Sequence, residues 1–93
     1  MYLEELKKIL RQEHILEKYQ IDELCIFGSI ARGENGNDID LLVNDDNYKK
    51  WIEIKAELEK KTGIKVDIML EKYANPIVLY RANREKIYVG KYS

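Results

Sequence analysis

Apolar residues recur along the chain at two spacings, and the switches between them lay out the elements. From Tyr2 to about Tyr19, Leu3, Leu6, Ile9, Leu10 and Leu16 fall near helical spacing, which predicts a first helix. Leu24-Cys25-Ile26-Phe27 is apolar throughout and stops at Gly28, the pattern of a buried central strand. After a polar turn, Glu34-Asn35-Gly36-Asn37, the stretch from Asp38 to Val43 alternates. Ile39, Leu41 and Val43 point one way, and Asp38, Asp40 and Leu42 point the other.

A second long helix is predicted from about Asn47 to Lys61, with Asp45, Asp46 or Asn47 as its cap. Tyr48, Trp51, Ile52 and Leu58 are its expected core positions. Lys60 and Lys61 suit its C-terminal dipole, and Gly63 suits its stop. From Ile64 to Leu70 the alternation returns, with Ile64, Val66, Ile68 and Leu70 on one face and Lys65, Asp67 and Met69 on the other. Asn75-Pro76 reads as a cap followed by proline at the first helical position, opening a helix to about Glu85. Ile87-Tyr88-Val89 suits a short last strand. The order αββαβαβ predicts an α/β (α+β) fold in which helices flank a small mixed sheet.

Composition narrows the class. With 93 residues the chain reads as one domain, residues 1–93, too small to house a separate substrate-binding module. Hydrophobic residues at 45% and charged residues at 35% mark a globular chain. Its net charge is -1 and no basic stripe stands out, which argues against a long nucleic-acid substrate. The single cysteine, Cys25, rules out an internal disulfide and a Cys-based metal cluster. With no signal peptide visible and no apolar run long enough to span a bilayer, the expected location is cytoplasmic.

Three features carry chemistry. Gly28-Ser29 ends the apolar strand, where glycine allows a sharp turn and close approach to a ligand. Backbone N–H groups of such a turn attract anions, and the Ser29 hydroxyl adds a donor for a phosphate oxygen. Asp38 and Asp40 sit at i and i+2 of a strand, so their carboxylates share one face and repel unless a cation lies between them. Asp67 interrupts the next strand and joins them if the two strands pair. Each has a plainer reading taken alone: an ordinary strand-to-helix turn, a solvated acid pair, a wet sheet face. Together they form the parts of metal-assisted, in-line phosphoryl transfer.

The stretch from Leu24 to Gly33, containing Gly28-Ser29-Ile30-Ala31-Arg32-Gly33, followed by Asp38-Ile39-Asp40-Leu41-Leu42-Val43, resembles the signature of the polymerase-beta-type nucleotidyltransferases. It is most similar to the minimal nucleotidyltransferases of prokaryotes, whose third aspartate falls where Asp67 stands, and the similarity continues through Asn75-Pro76 to Tyr88. The sequence departs from that pattern at Asn37, where serine is usual, and in a loop about two residues short that lacks proline. The resemblance implies that Gly28 and Ser29 hold the triphosphate of ATP or another NTP. It implies that Asp38, Asp40 and Asp67 bind one or two Mg²⁺ ions, or Mn²⁺, and carry catalysis. Asp67 is then the natural base for the acceptor hydroxyl. Arg32 matches the family arginine and either steadies the turn or approaches a phosphate.

The resemblance further implies an antitoxin that transfers AMP to a tyrosine of a small helical HEPN-type toxin partner. A non-catalytic antitoxin acting by occlusion is the rival, and a small-molecule nucleotidyltransferase subunit is a third reading. Assembly as a homo-oligomer is compatible with all three. Other conspicuous residues have plain expectations. His14 is read as surface, Cys25 as core, Trp51 and the helix tyrosines as core or interface, Asp45-Asp46 as a cap, and Lys65 as a solvated strand lysine.

Overall fold

A computed structural model describes residues 1–45 and 47–90. Four strands form one mixed sheet: β1 (Glu23–Phe27), β2 (Asp38–Val43), β3 (Lys65–Leu70) and β4 (Ile87–Gly90). Their spatial order is β3-β2-β1-β4. β1 is antiparallel to both β2 and β4, and β2 is parallel to β3. The helices are α1 (Leu3–Gln12), α2 (Ile15–Lys18), α3 (Gly28–Ala31), α4 (Tyr48–Thr62) and α5 (Pro76–Glu85), with one 3₁₀ turn at Glu71–Tyr73. The nucleotidyltransferase-type order expected from the sequence is the one observed, with α3 as an extra single turn.

One face of the sheet carries the core, and the other carries the acids. Leu24, Ile26, Ile39, Leu41, Val43, Val66 and Val89 join Leu6, Leu10, Ile15, Leu16, Trp51, Ile54 and Leu58 in a single core. Helices α1, α2 and α4 therefore cover the face that the alternation marked as apolar. Asp38, Asp40 and Asp67 stand on the opposite face, as the period of two along a strand requires.

The first helix is not continuous. It breaks at Glu13 and His14, where His14 adopts a left-handed φ of 52°. Ile15 lies five residues beyond Leu10, about 140° around a straight helix. The break re-aims the chain so that Ile15 and Leu16 are buried along with Leu10. His14 itself is exposed and pairs with Glu17 at 3.2 Å.

In α4 the buried residues are Trp51, Ile54 and Leu58, spaced i, i+3, i+7. Tyr48 and Ile52, expected in the core, are 58% and 50% exposed. A residue directly after Trp51 is rotated by about 100° and cannot share its face. The cap falls to Asn47, whose side chain accepts from the Lys50 N–H at 3.3 Å. Asp45 supports it, accepting from the Asn47 N–H at 2.8 Å and from Trp51 Nε1 at 3.3 Å. Asp46, the remaining cap candidate, lies outside the described residues. Gly63 closes the helix at φ 71°, as expected.

Glu57 links α4 to the broken first helix. It accepts from Lys18 Nζ at 2.9 Å and from the Tyr19 hydroxyl at 3.0 Å. Burial alone would raise its carboxyl, but these two donors hold it below the ordinary value. At the other end, Asn75 caps α5 by accepting from the Ile77 N–H at 2.9 Å, with Pro76 in the first turn.

Because Ile54 is fully buried and Ile52 half exposed, truncating them should separate sharply. Ile54→Ala should cost about 2–5 kcal/mol through lost burial and a residual cavity. Ile52→Ala should stay within about 0.5 kcal/mol. Urea unfolding followed by circular dichroism measures both; equal losses would mean that α4 presents a different face to the sheet.

Candidate active site

Strand direction decides where the candidate residues meet. β1 runs toward the turn at Gly28, and β2 and β3 both begin beside that turn. Phe27 pairs with Asp40, and Asp40 pairs with Asp67. One row across three strands therefore carries the end of β1 and two carboxylates. Neighbouring strands lie about 4.8 Å apart, and Asp38 stands one side-chain repeat back from Asp40, about 6.5–7 Å along β2. The fold brings Asp38, Asp40 and Asp67 onto one face beside Gly28 and Ser29.

Gly28 is there for steric reasons. Its φ is +79°, and a methyl group on its Cα would stand 2.2 Å from Asp40 Oδ2. Any side chain at this position would displace the Asp40 carboxylate. Gly36 plays a comparable part in the loop behind the turn. A methyl group there would stand 2.6 Å from both the Ser29 hydroxyl oxygen and Ile30 Cγ1. The sequence marks Gly36 only as part of a polar turn; its close approach to Ser29 arises once the loop folds back. The backbone of Gly36 also exchanges hydrogen bonds with Met1, its N–H donating to the Met1 carbonyl at 2.9 Å and its carbonyl accepting from the Met1 amine at 2.8 Å.

Electrostatics mark Asp40 as the centre of the cluster. Half-burial raises its carboxyl above the ordinary value, and Asp67, Asp38 and Glu85 add repulsion, with the Arg32 charge opposing. Three carboxylates supply the hard oxygen donors that Mg²⁺ takes, and a divalent ion among them would relieve this repulsion. Among the described residues, no three acidic, His or Cys side chains are already drawn into a ligand cluster. Lys65, read as a solvated strand lysine, is largely exposed but reaches Asp67 Oδ1 at 3.4 Å.

Arg32 is turned toward the motif loop. Its Nε donates to Glu34 Oε2 and its Nη1 to Glu85 Oε2, each at 2.8 Å. Its backbone N–H donates to the Gly28 carbonyl at 3.1 Å. Of the two roles open to Arg32, steadying the turn is the one its contacts describe. Glu85, from the end of α5, carries no motif that marks it in the sequence. Its other oxygen, Oε1, accepts from the Gly28 N–H at 3.0 Å. An acidic residue at a helix C-terminus, where the dipole disfavours it, was the one signal that pointed to it.

Cys25 is half-buried, and burial pushes its thiol up, which suits packing rather than nucleophilic attack. A cleft of about 530 Å³ opens where β1 begins and β2 ends, lined by Leu24, Cys25, Leu42, Trp51, Lys86 and Tyr88 among others. It contains none of Gly28, Ser29, Asp38, Asp40 or Asp67. Among the described residues no helix is long and apolar enough to cross a membrane.

With this geometry in place, comparison with known proteins is specific. The sequence profile of the polymerase beta nucleotidyltransferases matches residues 4–91. A Methanocaldococcus jannaschii protein named as a candidate protein adenylyltransferase is 36% identical over 97 residues, covering 94% of this chain and 97% of the relative. Protein adenylyltransferase MntA of Thermococcus cleftensis is 31% identical over 94 residues, covering 94% and 95%. The solved structure of a candidate minimal nucleotidyltransferase matches with a TM-score of 0.69 at 31% identity, covering 94% of this chain and 95% of that one. A crystal structure of the MntA-HpeT toxin-antitoxin pair shares the fold, with a TM-score of 0.61 at 21% identity over 84% of this chain and 68% of that one.

The repulsion around Asp40 makes a prediction for metal-free protein. A carboxyl whose folded-state value is raised costs stability once pH exceeds its unfolded value, about 3.9, and the full cost is present above the folded value. Asp67 is the strongest charge acting on Asp40. In EDTA at pH 7, Asp67→Asn should therefore raise the melting midpoint by a few degrees, as about 1 kcal/mol moves a domain this size by roughly 4–8 °C. The Asp40 titration followed by NMR should move toward its ordinary value, and the two proteins should melt alike near pH 2.5. An unmoved Asp40 titration would show that Asp67 does not face it.

Proposed function

The chain belongs to the polymerase beta nucleotidyltransferase family, and from that premise we propose that it transfers AMP from Mg-ATP to a protein hydroxyl. The acceptor in this reading is a tyrosine of a small helical HEPN-type toxin, and the transfer is how the chain acts as antitoxin. The observation that carries the proposal is the row Phe27–Asp40–Asp67, which together with Asp38 on the same face of β2 sets three acids beside the Gly28-Ser29 turn. The adenylyltransferase names of relatives matched along almost their whole length support the reaction class. The toxin-antitoxin pair that shares the fold supports the choice of partner.

Each residue has a role that its position suits. Gly28 and Ser29 receive the triphosphate, glycine by leaving room and serine by donating its hydroxyl. Arg32 holds the turn in shape. Asp38, Asp40 and Asp67 would hold Mg²⁺, which supplies charge neutralisation and orients the phosphates. Asp67 also accepts the proton of the acceptor hydroxyl as that oxygen attacks the α-phosphorus. The bond to the bridging oxygen breaks, and pyrophosphate leaves with its electron pair. Positioning and charge compensation supply most of the acceleration in such a transfer. A purely occluding antitoxin would have no use for three mutually repelling carboxylates.

Intact-mass spectrometry of the partner after incubation with Mg-ATP tests the proposal. The partner should gain increments of about 329 Da, the mass of one AMP residue. Loss of an outer partner of a metal site already costs about 10–100-fold. Asp38→Asn and Asp40→Asn should therefore each reduce transfer by at least about 100-fold, with fold and partner binding retained. A wild-type pair that binds tightly and neutralises the toxin without any mass gain would leave occlusion as the mechanism.

A further inference from the structure

Glu85 does something that neither the motif nor the helix containing it requires. The antiparallel register of β1 with β4 runs from Glu23 opposite Gly90 to Ile26 opposite Ile87. Continued by two residues, it would set Gly28 opposite Glu85. Glu85, however, is the last residue of α5, so its backbone cannot continue the ladder. Its side chain takes over, and Oε1 accepts the Gly28 N–H at 3.0 Å. Without it that half-buried donor would lose its partner, which is costly in itself. The second oxygen accepts Arg32 Nη1 at 2.8 Å. One carboxylate thus spans the first residue of α3 and the first residue after it.

The placement is costly unless it serves the turn. Glu85 adds a further negative charge to the repulsion on Asp40, and the Arg32 charge opposes it. Helix α5 has little other hold on the molecule. Ala82 is its only buried residue, while Ile77, Val78 and Tyr80 are exposed. Gly28 is in turn packed so close to the Asp40 carboxylate that a small shift of the turn changes the distance between phosphate donors and acids.

We infer that Glu85 is a positioning residue for the nucleotide turn, a two-oxygen clamp that holds Gly28 and Arg32 together and thereby sets Ser29 against the carboxylate row. The inference rests on the reading of this turn as the triphosphate site. A different outcome is also chemically coherent: the carboxylate stands where a phosphate oxygen would bind, and nucleotide displaces it. The two-sided hydrogen bonding, with both oxygens engaged and a guanidinium as partner, favours the clamp.

Three variants, Glu85→Ala, Glu85→Gln and Arg32→Ala, with the Glu85/Arg32 double alanine, separate the cases. Gln keeps an acceptor for Gly28 but loses the charge for Arg32. Amide hydrogen exchange at Gly28, which needs no nucleotide, should speed up in Glu85→Ala and stay slow in Glu85→Gln. Calorimetric titration with Mg-ATP should show affinity falling by at least about tenfold in Glu85→Ala. The double variant should be no worse than the poorer single, because the pair acts as one unit. Tighter Mg-ATP binding in Glu85→Ala would overturn the clamp and establish displacement. A lower melting midpoint with unchanged affinity and unchanged Gly28 exchange would reduce Glu85 to a helix anchor. Faster Gly28 exchange in Glu85→Ala, together with wild-type protein that binds no Mg-ATP, would uphold the contact, remove its nucleotide role, and count against the triphosphate reading rather than the geometry.

Discussion

Like charges gathered at one edge of a small sheet are the constraint around which this molecule is arranged. Asp40 and Asp67 occupy paired positions on parallel neighbours, and Asp38 lies on the same face of the same strand. Their repulsion opposes folding, so the remainder of the domain must hold the sheet rigid against it. That work falls to the opposite face. Because side chains alternate along a strand, the same residues that expose the acids bury Ile39, Leu41 and Val66, all fully inaccessible. The acids and the core are thus two consequences of one register, and a slip of a single residue would exchange them.

The parallel pairing of β2 and β3 also explains the helix between them. Parallel neighbours need a crossover long enough to return the chain to the same end of the sheet. The crossover is α4, and its Trp51, Ile54 and Leu58 seal the core that β2 and β3 share. Function and stability meet in this unit: the connection that stabilises the sheet is also what brings a third carboxylate to the first two.

The turn after β1 is held by contacts of a different kind. Gly28 and Gly36 are defined by what their missing side chains would strike, Asp40 in one case and Ser29 with Ile30 in the other. Arg32 and Glu85 supply the polar side of the same arrangement. Backbone, loop and the end of α5 therefore converge on a few atoms, although Glu85 lies 57 residues along the chain from Gly28. Precise placement of donors relative to charge is what phosphoryl transfer demands of a protein.

The division between sequence and tertiary structure follows from the range of each interaction. Alternation at Asp38–Val43 and Ile64–Leu70, the Asn75-Pro76 start and the Gly63 stop depend on residues within one turn or one strand, and they were legible in the chain. The Gly28-Ser29 turn and the D-x-D pair were legible for the same reason, being local motifs. Asp67 was legible as an odd polar residue, but its pairing with Asp40 was conditional on the strands being neighbours. Local spacing misleads where several registers are open: it groups Ile52 with Trp51 although the sheet selects Ile54, and it runs one helix through His14 where burial of Ile15 requires a break. Glu85 and Gly36 carry almost no local signal. Their importance lies in distances to atoms far along the chain, and only the closed sheet, by setting which strand ends meet, decided them.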